Sequence, residues 1–285
     1  MIELCRHDPV ADTLRNVFHA NIVEVPEARI QPLIVVAASQ DKTSFRGAIL
    51  PLLKKPTNFA PPQIMQSQMP AVSGTKTREV KIDLGLEILG NFLQGFGVPS
   101  VGLSTCFQGA TAVSFSFNDV IRFFVDVGEL GEHLIGSALN SDNSAAAIFF
   151  EPGHPYSCYI LDSSISSSDF TIAVEKSQDT DFKIDVPTIS QVVSAANAGM
   201  QVTTSSSVSV SFRGNRHLGF AFSCLLANLD DSGKITSLEP GGDIPQFGLI
   251  HGINVPHVVS HTPDHVLLTK TPAMLTADFS EFANA

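Results

Sequence analysis

The sequence has few charged residues for its length, and this scarcity limits the partners that suit it. Of 285 residues, 16% are Asp, Glu, Lys or Arg and 44% are hydrophobic, whereas an average soluble domain is about 25% charged. The net charge is −11 at pH 7, so the molecule as a whole is repelled by phosphate backbones and nucleic acid is not an expected partner. The chain is long enough to bury a substantial core.

Cysteine is also scarce, and Cys5, Cys106, Cys158 and Cys224 lie far apart. Without a CxxC pair, the sequence favours neither a disulfide framework nor a cysteine-based zinc site, and a reduced compartment is expected. Charged residues follow Cys5 at once, so we expect no secretory leader and a cytoplasmic location. The charge-free stretch 88–118 contains a proline, glycines and several amides, which disfavours a membrane-spanning helix.

Motifs for catalysis and nucleotide binding are missing. No Walker sequence occurs, and the stretch 95–100 lacks the third glycine of a dinucleotide fingerprint. The stretch 102–106 lacks the second glycine that a serine nucleophile elbow needs. The acidic residues form no pair whose spacing assigns an acid and a base. We therefore expect a protein that is not an enzyme and has no cofactor.

A cluster of histidines near the carboxyl end leaves one enzymatic alternative open, a zinc hydrolase. The cluster consists of His251, His257, His261 and His265. The spacing of the last three would place imidazoles on one helical face, as zinc ligands require. Pro256 and Pro263 interrupt such a helix, and no HExxH glutamate is present. We expect an exposed loop and no metal here.

The sequence does contain four runs in which apolar and polar residues alternate. The apolar positions are Val80, Ile82 and Leu84; Val113, Phe115 and Phe117; Phe170, Ile172 and Val174; and Val208, Val210 and Phe212. Period-two alternation predicts strands with one apolar face. Such a strand suits either a half-buried sheet in a soluble interaction or ligand-binding module, or a tilted membrane strand with these side chains toward lipid.

The remaining segments divide the chain into two parts. We predict a helix over residues 8–20, extended structure over 21–40, a mobile Pro/Gln/Ser-rich loop over 51–76 and a short helix over 189–200. A buried strand over 218–229 is followed by a turn at 230–233 and a further strand to 238. Residues 1–240 form the predicted domain, and residues 241–285, with little periodicity, form a carboxy-terminal tail.

The amino-terminal helix and the stretches 81–96, 159–174 and 209–238 resemble, in this order, the pore-forming domain of gasdermins. The resemblance covers about residues 5–240 and implies an α+β fold in which peripheral helices surround a twisted central antiparallel sheet. The short remainder is similar to the inhibitory tail of bacterial gasdermins, which also carry a palmitoylated cysteine near the amino terminus. Cys5 matches that cysteine.

The resemblance implies a function. A caspase-like or other protease would remove the tail, with cleavage expected within about residues 240–262. The resting monomer would then form a homo-oligomer in the inner membrane and kill the cell to limit phage spread. Expected membrane hairpins join residues 77–92 to 107–121 and 164–186 to 201–213. Residues 1–81 are net basic, so candidate contacts with anionic lipid are Arg15, Lys42, Arg46, Lys54 and Lys55.

Overall fold

A single antiparallel sheet organises the protein. The computed structural model describes residues 21–39, 43–54, 61–73, 80–99, 102–107, 110, 112–153, 156–175, 183–196 and 198–240. Over these residues the strands are β1 (Asn21–Glu27), β2 (Ile34–Ala38), β3 (Thr43–Ala48), β4 (Met65–Met69), β5 (Val72–Ser73), β6 (Val80–Lys81), β7 (Ala112–Phe124), β8 (Ser157–Glu175), β9 (Gln201–Ser206), β10 (Ser209–Leu229) and β11 (Ile235–Pro240).

Short helices connect the strands, and their boundaries follow from capping residues. The helices are α1 (Ile49–Leu52), α2 (Ile82–Gly95), α3 (Val127–Leu134) and α4 (Val186–Ala195). The Asp126 carboxylate accepts a hydrogen bond from the Glu129 amide at 2.8 Å and begins α3. Asp185 does the same for the Thr188 amide at 3.2 Å, and a proline in the first turn of α4 fits this start.

The long strands β8 and β10 form the centre of the sheet. They pair antiparallel along most of their length, from Ala173 opposite Ser209 to Cys158 opposite Ala227. On the outer side of β10, the strands β9, β1 and β11 follow one another along its length. On the outer side of β8 lie β7 and β2, with β3 beyond β2. The short strands β4, β5 and β6 pair in turn with the outer edge of β7.

Two of the three longest strands, β7 and β10, are interrupted opposite the same part of β8, which divides the sheet in two. Asp119 in β7 has a φ of 49°, a left-handed conformation uncommon for a residue other than glycine. Between β8 and β10 the register shifts from Arg213 opposite Asp169 to Leu218 opposite Ser167. We name residues 112–118, 169–175 and 209–213 the arm, and the remainder of the sheet with its helices the body.

Three hydrophobic cores accompany this division. The first packs α2 and α4 against one face of the arm and of the neighbouring strand segments. The second and third cores lie in the body and contain alternate residues of β8, Ile160 in one and Leu161 in the other. Because successive strand residues point to opposite faces, the body is covered on both faces of the sheet.

The prediction of a strand at the first alternating run is wrong for this state. Ile82 and Leu84 lie in α2, and Val80 belongs to the two-residue strand β6. The buried positions of α2 recur every three or four residues, at Gly85, Ile88, Leu89, Phe92 and Leu93. This helical period extends over more of the segment than the alternation, and it determines the structure.

Other segments also differ from the sequence predictions. The supposed mobile loop 51–76 contains β4 and β5, which pair with β7. Val208 occupies the turn between β9 and β10 and is half-buried, so it does not lie within a strand. The predicted strand 164–186 ends at Glu175 in this state, and Val186 begins α4. The strand at 218–229, its turn and the helix near 189–200 are confirmed, whereas the helix predicted over 8–20 lies outside the described residues.

One close backbone contact gives a test of the packing. A Cβ atom added at Gly219 in β10 would lie 2.5 Å from the Ile30 Cβ and 2.8 Å from the Ile30 carbonyl oxygen. We expect Gly219→Ala to lower the free energy of unfolding by about 1–3 kcal/mol, measured by urea denaturation. Gly131→Ala in α3 is the control, since its Cβ would meet only Ile135 Cδ1 at 3.8 Å and alanine favours a helix by about 1 kcal/mol. Equal stability of the two variants would contradict this packing.

Candidate functional site

The predicted apolar positions of β7, β8 and β10 come together on one face of the arm. Their side chains are at most 5% exposed. We name this set the apolar ladder; its members are Val113, Phe115, Phe117, Phe170, Ile172, Val174, Val210 and Phe212. Val113 lies opposite Val174, and Phe115 opposite Ile172. Each of these apolar pairs therefore lies across two strands that are already hydrogen-bonded to one another.

Aromatic rings join the apolar ladder to helix α2. Phe170 stands at the centre, with ring centroids 5.0 Å from Phe117 and 6.0 Å from Phe115. From α2, Phe92 stacks on Phe170 with centroids 5.1 Å apart and contacts Phe117 at 6.1 Å. The buried side chains Ile189 and Val193 of α4 belong to the same core. The two helices thus cover a surface that would otherwise be a continuous apolar sheet.

The opposite face of the arm carries a polar network that crosses all three strands. The Asn118 amide donates to the Asp169 carboxylate at 3.0 Å and to the Thr171 hydroxyl at 2.9 Å. The Thr171 and Ser211 hydroxyls lie 2.7 Å apart. The Arg213 guanidinium donates to Asp169 at 2.9 Å. The arm therefore has one dry face and one hydrogen-bonded face, as a strand between lipid and water requires.

The junction between arm and body holds polar contacts of its own. The Ser168 hydroxyl donates to the Asp119 carboxylate at 2.8 Å, and the His217 ring lies 3.1 Å from the same carboxylate. Gly214 in the β10 irregularity leaves room for the Phe96 ring, because a Cβ there would lie 2.0 Å from that ring. Sequence reasoning missed this junction. Its signal is the interruption of alternation by Asn118 and Asp119 in one strand and by the segment 213–217 in another.

Two of the five candidate lipid-binding cations lie among the described residues. Lys54 is exposed after α1, whereas the half-buried Arg46 guanidinium donates to the Ala145 carbonyl at 2.8 Å. Arg46 thus attaches β3 to the segment after α3. The remaining sequence-predicted sites fall outside the described residues: Cys5, Arg15, Lys42, Lys55, the histidines at 251–265 and the expected cleavage region.

The described residues offer little to metal or thiol chemistry. Within them, no group of three or more His, Cys, Asp or Glu side chains is placed to hold a metal ion. Cys106, Cys158 and Cys224 are buried and unpaired with one another. Burial raises the pKa of the Cys158 thiol to about 12, and it raises that of Cys224 as well, which keeps both protonated and unreactive. None of the helices in this part of the chain has the length and apolarity to cross a bilayer.

Comparison with known proteins gives a consistent result. The model of the Bacterial Gasdermin Family matches residues 23–234. Gasdermin bGSDM of Vitiosangium sp. (strain GDMCC 1.1324) is 28% identical over 237 residues, which cover 82% of this chain and 86% of that protein. Gasdermin bGSDM of a Desulfuromonadales bacterium is 29% identical over 234 residues, with the same coverage.

A solved structure shares the fold. The structure of a bacterial gasdermin from Bradyrhizobium tropiciagri matches with a TM-score of 0.53 at 14% identity, covering 83% of this chain and 92% of that one. This likeness confirms the expected α+β fold with a curled antiparallel sheet. Since the family model spans most of the chain, the protein belongs to the bacterial gasdermin family, a family of pore-forming proteins that are not enzymes.

Proposed function

We propose that this gasdermin rests as a cytoplasmic monomer and forms pores after a protease removes its carboxy-terminal tail, residues 241–285. The protease is caspase-like or of another class and cuts within about residues 240–262. The trimmed chains oligomerise, insert hairpins into the inner membrane and kill the cell, which limits phage spread.

The two-faced arm is the observation that carries this proposal. In water its apolar ladder is covered by α2 and α4, and in a bilayer the same eight side chains would meet hydrocarbon. The apolar ladder would stay in an apolar environment, because hydrocarbon would replace the two helices that cover it. Insertion would therefore require no additional apolar side chains on these strands. The polar face, with its hydroxyl, amide and ion-pair contacts, would then line a water-filled lumen.

Helix α2 supplies the fourth membrane strand in this proposal. Its sequence begins with the alternating run, and β6 immediately before it already pairs with β7, Val80 opposite Val113 and Lys81 opposite Ala112. Glycines at positions 85 and 90 weaken the interior of the helix, each by about 1 kcal/mol relative to alanine. Conversion of α2 to a strand would lengthen the existing pairing between β6 and β7. It would also uncover the apolar ladder, which α2 now covers.

Oligomerisation follows from backbone chemistry. In hydrocarbon, an unpaired N–H or C=O group costs several kcal/mol, so an open sheet edge does not enter a membrane. One arm has two edges, and only a closed ring of arms pairs them all. Insertion and ring closure are therefore coupled steps.

Tail removal would also change the electrostatics. Residues 241–285 contain Asp243, Asp264, Asp278 and Glu281 against Lys270, so their loss makes the molecule less negative by three charges. Anionic lipid repels the trimmed chain less. Arg15, Lys42, Lys54 and Lys55 remain our candidates for lipid contact; Arg46 would first have to leave the Ala145 carbonyl.

Dye release from vesicles tests the proposal. A full-length chain with a protease recognition site inserted in residues 240–262 is mixed with dye-filled vesicles containing anionic lipid. We expect release on addition of the protease and none from the uncut chain, because the uncut chain keeps its tail. Clean cleavage without leakage would overturn pore formation and favour a soluble interaction module.

Neighbouring residues in the β9–β10 turn test which face meets lipid. Val208 is half-buried and Ser207 is exposed, so the resting fold tolerates a charge at either position. Val208→Asp places a carboxylate on the predicted lipid face of every protomer in the ring, at a cost per protomer below the roughly 2–4 kcal/mol that Arg or Lys has at the bilayer midplane, and should abolish leakage after cleavage. Ser207→Asp faces the lumen and should preserve it. Leakage from both variants, each with a wild-type melting curve, would contradict the strand assignment.

The amino-terminal cysteine gives a separate prediction. We propose a palmitoyl thioester on Cys5, since each buried methylene adds roughly 0.8 kcal/mol of membrane affinity. Intact mass of protein from a native-type host should show one C16 addition that hydroxylamine removes and that Cys5→Ser prevents. A mass equal to the bare sequence would exclude this modification.

A further inference from the structure

Strand β9 covers one edge of the arm in the resting protein. It folds back on β10, with Thr203 opposite Ser211 and Gln201 opposite Arg213. The opposite edge of the same β10 residues pairs with β8, where Thr171 lies opposite Ser211. Ser211 therefore has β9 on one side and β8 on the other. An edge of the arm that would otherwise be open is closed by a segment of its own chain.

The attachment of β9 is weak by the ordinary standards of a hairpin. The connecting residues Ser207 and Val208 are not the Asn-Gly or Asp-Gly pair that two-residue turns favour. The register between the two strands shifts between Ser209 and Val210. The side chains of Gln201, Thr203, Thr204 and Ser206 are exposed. Val202 is half-buried against the first core, so the apolar area that β9 adds to this core comes mainly from one side chain.

The sequence of β9 also fits a second arrangement, in which it continues β10. From 201 to 213 every second residue is polar: Gln, Thr, four Ser and Arg. The polar face of β10 thus extends without interruption through the present turn and along β9. The other parity contains Val202, Val208, Val210 and Phe212 together with the small hydroxyl residues Thr204 and Ser206. A continued strand would therefore have one polar face and one largely apolar face.

The backbone hydrogen bonding between β8 and β10 already extends toward this arrangement. Beyond the last pair, Ala173 opposite Ser209, the Val174 amide donates to the Val208 carbonyl at 2.8 Å. A strand that continued from Val208 into β9 would follow this register along the segment after Val174. No change of the existing β8–β10 pairs would be needed.

Length favours the continued strand in the membrane. The arm portion of β10, Ser209–Arg213, has five residues and spans roughly 17 Å. A strand crossing hydrocarbon needs about 9–11 residues. Residues 201–213 together are long enough, whereas Ser209–Arg213 alone is not.

We propose that β9 is a removable edge strand: it closes the β10 edge at rest, and on activation it swings out to extend β10 and opens that edge for a second copy of this chain. This inference rests on the proposed function, and it names the surface through which protomers pair. A monomer that keeps β9 folded back has neither the strand length nor the free edge for a ring.

Two disulfides that share Ser209 test this assignment. Directly opposite residues in antiparallel strands have Cα separations of about 4.5–5.5 Å, within the range for a disulfide. Ser206→Cys with Ser209→Cys attaches β9 to β10, since these residues lie opposite one another. Ala173→Cys with Ser209→Cys attaches β8 to β10, a pairing that persists in the proposal. Both use the full chain with a cleavable tail, and the single variants S206C, A173C and S209C control for the native thiols.

The two cross-links should have opposite effects after cleavage. We expect the oxidised β9–β10 variant to stay monomeric on native gels and to lose dye release, with both restored by reduction. The oxidised β8–β10 variant should oligomerise and release dye like wild type. Leakage from both oxidised variants, or from neither, would overturn the role of β9 while wild-type leakage upholds the proposed function. Absence of leakage from the trimmed wild type would instead overturn the proposed function and this inference with it.

Discussion

The contact between Phe92 and Phe170 is the interaction on which the arrangement of the arm depends. Phe170 touches Phe115 and Phe117 on the neighbouring strand, and Phe92 is the ring through which α2 stacks on that cluster. Large buried aromatic rings contribute several kcal/mol each, since their loss costs about 3–5 kcal/mol. If α2 leaves the apolar ladder, another apolar environment must take its place to keep the fold stable. The interior of a bilayer is such an environment.

The body differs from the arm in how it is covered, and in the proposed function this difference determines which half moves. Ile160 and Leu161 of β8 enter separate cores on opposite faces. The body also contains a half-buried polar group, the Asp162 carboxylate, which accepts a hydrogen bond from the Ser223 hydroxyl at 2.9 Å. Burial raises the pKa of Asp162, against the smaller opposite effects of that hydrogen bond and of the Arg122 charge. Such a network holds strands in one register. The arm has a core on one face only, so its release in the proposed function would remove a single layer.

The sequence predicted part of this structure for a definite reason. Alternation at 113–117, 170–174 and 210–212 predicts the strands and their apolar face. A period of two indicates a strand when no helical period overlaps it in the same segment. At 80–86 the two periods overlap, and packing of Phe92 on the ladder, a contact between distant segments, decides in favour of the helix. The junction depends on which residues of β7, β8 and β10 lie at the same level, and this register is not contained in any one segment. The fold-back of β9 was missed because its turn lacks the residues that mark hairpins.

Edge protection and activation are linked through the same short segments. The outer edge of β7 is covered by β4, β5 and β6, and that of the β10 arm by β9, so the resting arm presents no long open edge to another chain. Open edges of this kind promote aggregation, and proteins commonly cover them. Each covering strand has only two to six residues, so each adds few backbone hydrogen bonds to the edge that it covers. In the function proposed above, chains concentrated at a membrane surface would pair through longer strands, and this pairing would outweigh the short covers. The same covers would thus prevent premature assembly in solution and permit it at the membrane.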